Sequence, residues 1–213
     1  MDKLGAGTAL LISRKGGISQ CNGLKIALAA LAISLPSTLC EATSIGNKNM
    51  IMKKVEIERV SLTSSKPFDA VVASIKAAVG QPDMAKFRQT TMTAQSFAEL
   101  ERAVQEGLGR TGLMLFMEFD LGAILRRESG LETPKIIRFV IGNPLIMKEM
   151  VKHVHDAGSY APVTILVDER RDGVHLSYDK MASLLAPYGS PEALRVAREL
   201  DTKIESLLRD AAS

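Results

Sequence analysis

The chain shows two hydrophobic periods, and each period predicts one kind of secondary structure. Apolar residues at every second position, or in short unbroken runs, are typical of β-strands. Strands are predicted at residues 55–62, 113–119, 136–141, 163–168 and 174–178. Apolar residues three and four positions apart are typical of amphipathic helices. Helices are predicted to begin near Pro67, Gln95, Asn143 and Ser190. The third is predicted to end at Gly158, and the last is predicted to bury a stripe of Leu194, Ala197, Leu200, Ile204 and Leu207.

Three of the strand predictions carry further detail. The alternation within residues 55–62 changes phase near Glu58, which predicts a β-bulge at that point. Residues 113–119 are apolar on both faces, so this strand is predicted to lie in the centre of the sheet. Asp172-Gly173 separates the last two apolar runs, and this dipeptide is typical of the turn of a β-hairpin.

Two of the helix starts have recognisable caps. Ser96 and Glu99 have the spacing of a capping box, in which the two residues satisfy each other's backbone N–H groups. Asn143 is predicted to cap a helix through its side-chain oxygen, and Pro144 suits the first helical position because that residue needs no N–H donor.

Two other segments have weaker patterns. Residues 83–93 show no clear period and are predicted to form an irregular connection, while residues 120–127 are predicted to form a short helix or a turn. The resulting order, β-α-α-β-(α)-β-α-β-β-α, predicts an α+β fold with a mainly antiparallel sheet and helices packed on one face. A single domain is predicted over residues 53–213, and it ends with a helix at 191–209.

An N-terminal leader is predicted for residues 1–52. Residues 24–35 form an apolar run behind basic residues, and a small-residue site follows at Cys40-x-Ala42, which is the order of a secretory signal. A membrane span needs roughly 20 apolar residues, so no stable span is expected. Export to the periplasm is the first expectation. Two alternatives stay open, namely a helix packed on the domain, or translation that begins near Met50 or Met52 and leaves the protein in the cytoplasm.

Charge separates the leader from the domain. Residues 1–54 carry seven Lys and Arg against two acidic residues, whereas the remainder carries 20 basic and 22 acidic residues. The domain is therefore mildly acidic, and nucleic-acid binding, which needs a basic surface, is not expected. Both cysteines, Cys21 and Cys40, precede the domain, so neither a disulfide framework nor a thiol nucleophile is expected in it.

Candidate catalytic and metal-binding side chains are few. Asp120 and Glu118 lie near a strand end, where carboxylates can act as acid and base, although an Asp before a helix is also typical of a cap. Tyr178 shares the inward phase of its strand and is predicted to be buried with a hydrogen-bonded hydroxyl, or to face a ligand pocket. His153 and His155 project about 200° apart around a helix, so no metal site is expected. No cofactor is expected either, because no Gly-rich phosphate loop precedes a helix.

Residues from about 54 to 190 resemble the domain of unknown function 302 family. The resemblance rests on motifs in the family's order, which are Phe68-Asp69-Ala70, Gly142-Asn143-Pro144, Ala161-Pro162, Asp172-Gly173 and Ser177-Tyr178. It implies a small α+β domain similar to the TATA-binding-protein-like architecture, usually a dimer, with no established activity. Two motifs depart from the family. Phe119-Asp120-Leu121 stands where many members carry Ile-Asp-His, and Ala161 stands where Leu is usual.

These observations predict a dimeric small-ligand-binding or interaction domain. The ligand is expected between the sheet and a helix, near Asn143, Asp120 and Tyr178. Helix capping by itself also explains Asn143. The alternative is an enzyme of unknown reaction that uses Asp120 or Glu118 as acid or base.

Overall fold

The structure is a computed structural model that describes residues 50–132 and 134–213. Most of the predicted leader, residues 1–49, lies outside the described residues, and so does the proposed export signal. Residues 51–213 form one compact unit. In the described part of the chain, no helix is both long and apolar enough to cross a membrane.

Within residues 50–132 and 134–213, five antiparallel strands form a single sheet. They are β1 (Arg59–Ser64), β2 (Met114–Asp120), β3 (Ile136–Gly142), β4 (Val163–Arg170) and β5 (Gly173–Asp179). The spatial order is β1-β5-β4-β3-β2, and each neighbouring pair is antiparallel. The hairpin predicted from Asp172-Gly173 is confirmed, because Arg170 pairs with Gly173 across a two-residue turn.

In the part of the chain that the structure describes, seven α-helices accompany the sheet. They are α1 (Phe68–Ala78), α2 (Met84–Thr93), α3 (Phe97–Gly107), α4 (Gly122–Ser129), α5 (Pro144–Val151), α6 (Met181–Leu185) and α7 (Pro191–Ala212). Two 3-10 turns follow α5 and α6, at His155–Ser159 and Ala186–Tyr188. The mixed α+β fold with an antiparallel sheet is therefore confirmed.

The core lies between one face of the sheet and the helices α1 and α7. Alternate residues of β4 point into it, so that Val163, Ile165 and Val167 are buried. The predicted stripe of α7 is confirmed at four positions, since Ala197, Leu200, Ile204 and Leu207 are buried, while Leu194 is partly buried against the core. The end of α7 also reaches the first strand, because the Ser64 hydroxyl donates to the Ala212 carbonyl at 2.6 Å.

The predicted central position of the strand at 113–119 is wrong, because β2 lies at an edge of the sheet. Its first residues are covered by a short backbone bridge from Gly80, whose N–H donates to the Leu113 carbonyl at 2.9 Å. After an irregularity at Phe116 the strand becomes exposed, although it stays apolar. Apolar residues on both faces therefore reflect an edge with a hydrophobic surface and not a central strand.

The predicted irregular connection at residues 83–93 is also wrong, since these residues form α2. One oxygen of Asp83 caps the helix by accepting from Ala85 N at 2.9 Å and from Lys86 N at 3.1 Å. None of the α2 residues is buried. A helix without a buried stripe leaves no hydrophobic period, which is why the sequence pattern missed it.

Two boundaries also differ from the predictions. The first strand begins at Arg59, so the expected bulge near Glu58 does not exist, and the earlier apolar residues precede the strand. Helix α5 ends at Val151 instead of continuing to Gly158. It ends early because the N–H groups of His153 and Val154 both bond to one carbonyl, that of Met150.

Candidate functional site

An apolar cavity of about 130 Å³ lies at the carboxyl end of β3, beside the start of α5. Its walls come from β2, β3, α5, the start of β4 and α7. The lining residues are Phe116, Gly142, Asn143, Pro144, Met147, Met150, Ala161, Pro162, Val163 and Leu200. Two of the sequence motifs, Gly142-Asn143-Pro144 and Ala161-Pro162, therefore meet at one place in the fold.

Gly142 keeps the cavity open. It is the last residue of β3 and pairs with Met114. A Cβ atom at this position would lie 3.1 Å from Pro162 Cβ, closer than most side-chain contacts in proteins, and 3.5 Å from Phe116 Cε2, in ordinary contact. Any larger residue at 142 would therefore push these two walls apart or fill the space between them.

Asn143 builds the polar rim of the cavity. Its side-chain oxygen accepts from Leu145 N at 2.8 Å, which confirms the predicted cap of α5. Its side-chain nitrogen donates to the Gly112 carbonyl at 3.0 Å, which ties α5 to the turn before β2. The amide carries two N–H groups, and this contact uses one of them. The second N–H has the chemistry to donate to a bound molecule.

The remaining wall is apolar and adaptable. Met147 and Met150 come from α5, and methionine side chains adjust to irregular shapes because they are unbranched and flexible. The peptide bond between Ala161 and Pro162 is cis. Phe116, Met147 and Ala161 are only half-buried, so the cavity is reached from the surface on their side. None of the lining residues carries a formal charge.

Asp120 lies far from this cavity. It pairs with Ile137 at one end of the β2–β3 ladder, whereas Gly142 pairs with Met114 at the other end. At about 3.4 Å per residue, the ladder separates the two sites by roughly 20 Å. Asp120 accepts from Arg126 Nη2 at 2.6 Å and from Ala123 N at 2.9 Å. The hydrogen bond from Arg126 holds the pKa of the Asp120 carboxyl below its ordinary value.

Glu118 is tied in a similar way. Its carboxylate accepts from Lys76 Nζ at 2.7 Å, which joins β2 to α1. Both candidate acid–base residues thus lie in ion pairs that span two elements. Each ion pair is a structural contact between charged side chains. Glu118 and Asp120 lie two positions apart on β2, so both face the inner side of the sheet.

Tyr178 is fully buried on β5, as predicted. Its hydroxyl donates to Asp201 Oδ1 at 2.6 Å and accepts from Met181 N at 3.2 Å. Burial, with the neighbouring Asp201 carboxylate, raises the pKa of the Tyr178 hydroxyl well above its ordinary value. The structure therefore places Asn143, Asp120 and Tyr178 in three separate environments, and only Asn143 lines the cavity.

Asp201 is the polar residue that the sequence pattern missed. It lies in the buried stripe of α7, next to Leu200, and only 3% of it is exposed. Its two oxygens accept from Tyr178, from Met181 N at 2.7 Å and from Ala182 N at 3.1 Å. A single acid within an apolar helix stripe is the signal that could have found it, because an unpaired buried charge is very unfavourable.

The three histidines do not form a cluster. His175 contacts Asp172 Oδ1 through Nε2 at 2.9 Å, across the end of the hairpin. His153 and His155 are exposed and flank Val154. Within residues 50–132 and 134–213, no group of three or more potential metal ligands comes together.

The fold and the cavity define a small α+β domain with an apolar site at the end of its sheet. The family model called Domain of unknown function DUF302 matches residues 88–211, and the chain belongs to this family. All the cavity residues fall within the matched range. No curated protein matches the chain.

A solved structure has the same fold. It is the uncharacterized conserved protein DUF302 from Bacillus stearothermophilus, with a TM-score of 0.50 and 12% sequence identity. The match covers 72% of this chain and 97% of the other. At this identity the likeness concerns the fold alone.

Proposed function

We propose that this domain binds a small, largely apolar molecule in the cavity beside Asn143. The observation that carries the proposal is the lining of the cavity, because ligand sites are concave and mostly apolar with a few polar groups that fix orientation. An apolar cavity of about 150 Å³ in another protein takes up benzene or xenon. The cavity here is of similar size.

The lining defines the class of ligand. No charged side chain faces the cavity, so a charged ligand would lose its hydration without compensation. A compact uncharged group, such as a short alkyl chain or one aromatic ring, fits both the volume and the chemistry. A single acceptor atom on the ligand can take the second N–H of Asn143, which fixes its orientation.

A small aromatic probe is expected to raise the melting temperature of the full chain, because a ligand that binds only the folded state stabilises it. Benzene and indole suit the volume, and the shift is measured by differential scanning calorimetry over a series of concentrations. Ala161→Leu fills the mouth of the cavity and is expected to abolish the shift. Ala94→Leu makes the same change at the end of α2, away from the cavity, and is expected to keep it. Equal shifts in both variants would place binding elsewhere.

The acid–base alternative has less support. Asp120 and Glu118 are held in ion pairs with Arg126 and Lys76, and the Asp120 pKa is lowered. A general acid at neutral pH needs a raised pKa, and a general base needs a free lone pair near the substrate. Neither carboxylate borders the apolar cavity.

The homodimer and the export of the mature protein belong to the same proposal. The dimer is supported by the family resemblance, and export by the order of charged, apolar and small residues before the domain. Native mass spectrometry of protein from its own host is expected to show a mature chain that starts after about residue 42. A chain that begins at Met50 or Met52 would contradict export and support a cytoplasmic protein.

A further inference from the structure

The two edges of the sheet differ in character. On the edge strand β1, the side chains facing away from the core are Arg59, Ser61 and Thr63, all of them polar. On the other edge strand, β2, the corresponding side chains are Met117 and Phe119. Sheets that leave an edge free in solution usually protect it with charged or polar residues. The outer face of β1 has that protection, whereas the outer face of β2 is apolar and its charged residues, Glu118 and Asp120, lie on the inner face.

Among the described residues, only the first part of β2 has a strand neighbour on its outer side. Gly80 forms a bridge there, and its carbonyl accepts from Leu115 N at 2.8 Å. The irregularity at Phe116 ends this contact. From Met117 to Asp120, no strand in the described part of the chain pairs with the outer side of β2. Backbone N–H and C=O groups on that side are therefore free to pair with another chain.

The exposed edge continues into an apolar surface on α4. We call this surface the edge patch, and its residues with their exposed fractions are Met117 48%, Phe119 39%, Leu121 39%, Ile124 72% and Leu125 40%. These side chains expose on the order of 400 Å², about half of the roughly 800 Å² that each partner buries in a standard interface. The unpaired strand backbone and the neighbouring polar side chains can supply the rest.

The edge patch is complementary to itself. Antiparallel pairing of two β2 strands around Glu118 places Met117 of one copy opposite Phe119 of the other, on one face of the joined sheet. The acids at this seam are already paired within each copy, Glu118 with Lys76 and Asp120 with Arg126. Two identical copies can therefore approach without bringing unpaired like charges together.

We infer that a second copy of this chain docks on the edge patch by antiparallel pairing of β2 with β2. The two five-stranded sheets then become continuous across a two-fold axis at Glu118. This inference rests on the proposed homodimer and is independent of the ligand in the cavity. Strand pairing covers the free backbone groups, and α4 of each copy adds Ile124 and Leu125 to the contact.

Phe119→Glu in the full chain tests the inference. A glutamate there lies near Arg138, whose guanidinium is 5.7 Å from the Phe119 ring, so the folded monomer is expected to accept it. In the dimer the same charge would face Met117, and the dissociation constant is expected to rise about 100-fold or more. Met92→Glu is the matched control on α2, where 79% of the side chain is exposed. Analytical ultracentrifugation over a concentration series measures both variants beside the unchanged chain.

Cysteine pairing tests the register. In the full chain with Cys21 and Cys40 changed to Ser, Glu118→Cys is expected to form a disulfide-linked dimer under mild oxidation. Residues facing each other at the two-fold axis have Cα atoms about 4.5 to 5.5 Å apart, within disulfide reach. Ser61→Cys, in the middle of the other edge strand, is the control and is expected to stay unlinked.

Each outcome decides one point. An unchanged chain that is monomeric at about 100 μM, which is about 100-fold above a dissociation constant of about 1 μM, would overturn both this inference and the proposed homodimer. A dimer that survives Phe119→Glu, or that links through Ser61→Cys, would overturn the β2 interface and leave the homodimer standing. Neither result bears on the thermal shift with apolar probes, so failure of the ligand proposal stays separate.

Discussion

Replacing Asp201 by alanine is expected to cost about 4 kcal/mol of the free energy of unfolding. The substitution removes the acceptor of the Tyr178 hydroxyl and of the Ala182 N–H, and it leaves the Met181 N–H only its longer contact with the Tyr178 hydroxyl. A buried donor that loses its partner costs roughly 1 to 3 kcal/mol, and three donors are affected. Since small domains are stable by about 5 to 15 kcal/mol, this loss is a large fraction of the total. Urea unfolding followed by circular dichroism measures it.

Tyr178→Phe separates the hydroxyl from the rest of this cluster. It removes one donor and leaves Asp201 bonded to Met181 N and Ala182 N, so the expected cost is only about 1 kcal/mol. Equal losses for Asp201→Ala and Tyr178→Phe would contradict the view that Asp201 holds the start of α6.

The pH dependence of the same pair checks the cause of the stabilisation. The folded-state pKa of Tyr178 lies above the ordinary value of 10.0, so the folded protein holds this proton more tightly than the unfolded chain does. The stabilisation from the hydroxyl is therefore complete below pH 10 and is lost as the pH rises further towards the folded-state pKa. The difference in unfolding free energy between the unchanged chain and Tyr178→Phe is expected to shrink above pH 10. A difference that stays constant there would mean that the phenol is not buried.

Gly80→Ala is expected to cost about 3 kcal/mol or more, because two backbone segments cross at this glycine without room for a side chain. A Cβ atom on Gly80 would overlap the Gly107 carbonyl oxygen and lie 2.7 Å from Gly109 N. Both neighbours are backbone atoms, so they cannot move aside by a change of rotamer. The crossing also carries the bridge that covers the first residues of β2, so the substitution is expected to loosen that edge. Thermal and urea unfolding measure the loss.

Gly158→Ala is the matched control for this prediction. Its Cβ atom would meet only Val151 Cγ2, at 3.9 Å, which is ordinary contact. Alanine also lowers the entropy of the unfolded chain, so the variant is expected to be neutral or slightly more stable, by less than about 1 kcal/mol. Similar losses at both positions would show that the close backbone crossing is not the reason for Gly80.

Local patterns predicted the parts of the fold that depend on local chemistry. The hairpin turn at Asp172-Gly173, the cap at Asn143 and the buried stripe of α7 follow from neighbours within a few residues, and all three are confirmed. Helix α2 shows the limit of the method, because its stability comes from the Asp83 cap and from contact with α3 and not from a buried stripe. The sequence of such a helix shows no hydrophobic period, so a search for periodic apolar residues does not find it.

The sequence could not predict the position of β2 or the cluster at Asp201. An apolar strand is compatible with a buried central position and with an interface at the edge, and the choice depends on which strands pair with it. Helix α6 depends on Asp201, which lies about one helix further along the chain. Of the residues that line the cavity, the sequence predicts Asn143 as a ligand contact, whereas Ala161-Pro162 enters only as a motif of the family resemblance.

The bond between Ser64 and the Ala212 carbonyl has a consequence for synthesis. β1 takes its strand partner from β5, and its final residue is held by a position 148 residues further along the chain. β1 can therefore not complete its native contacts while the ribosome is still adding α7. Contacts of such long sequence separation also form slowly. Completion of this domain is expected to follow translation. The nascent chain would stay open long enough for a translocation machinery, or a chaperone, to engage it first.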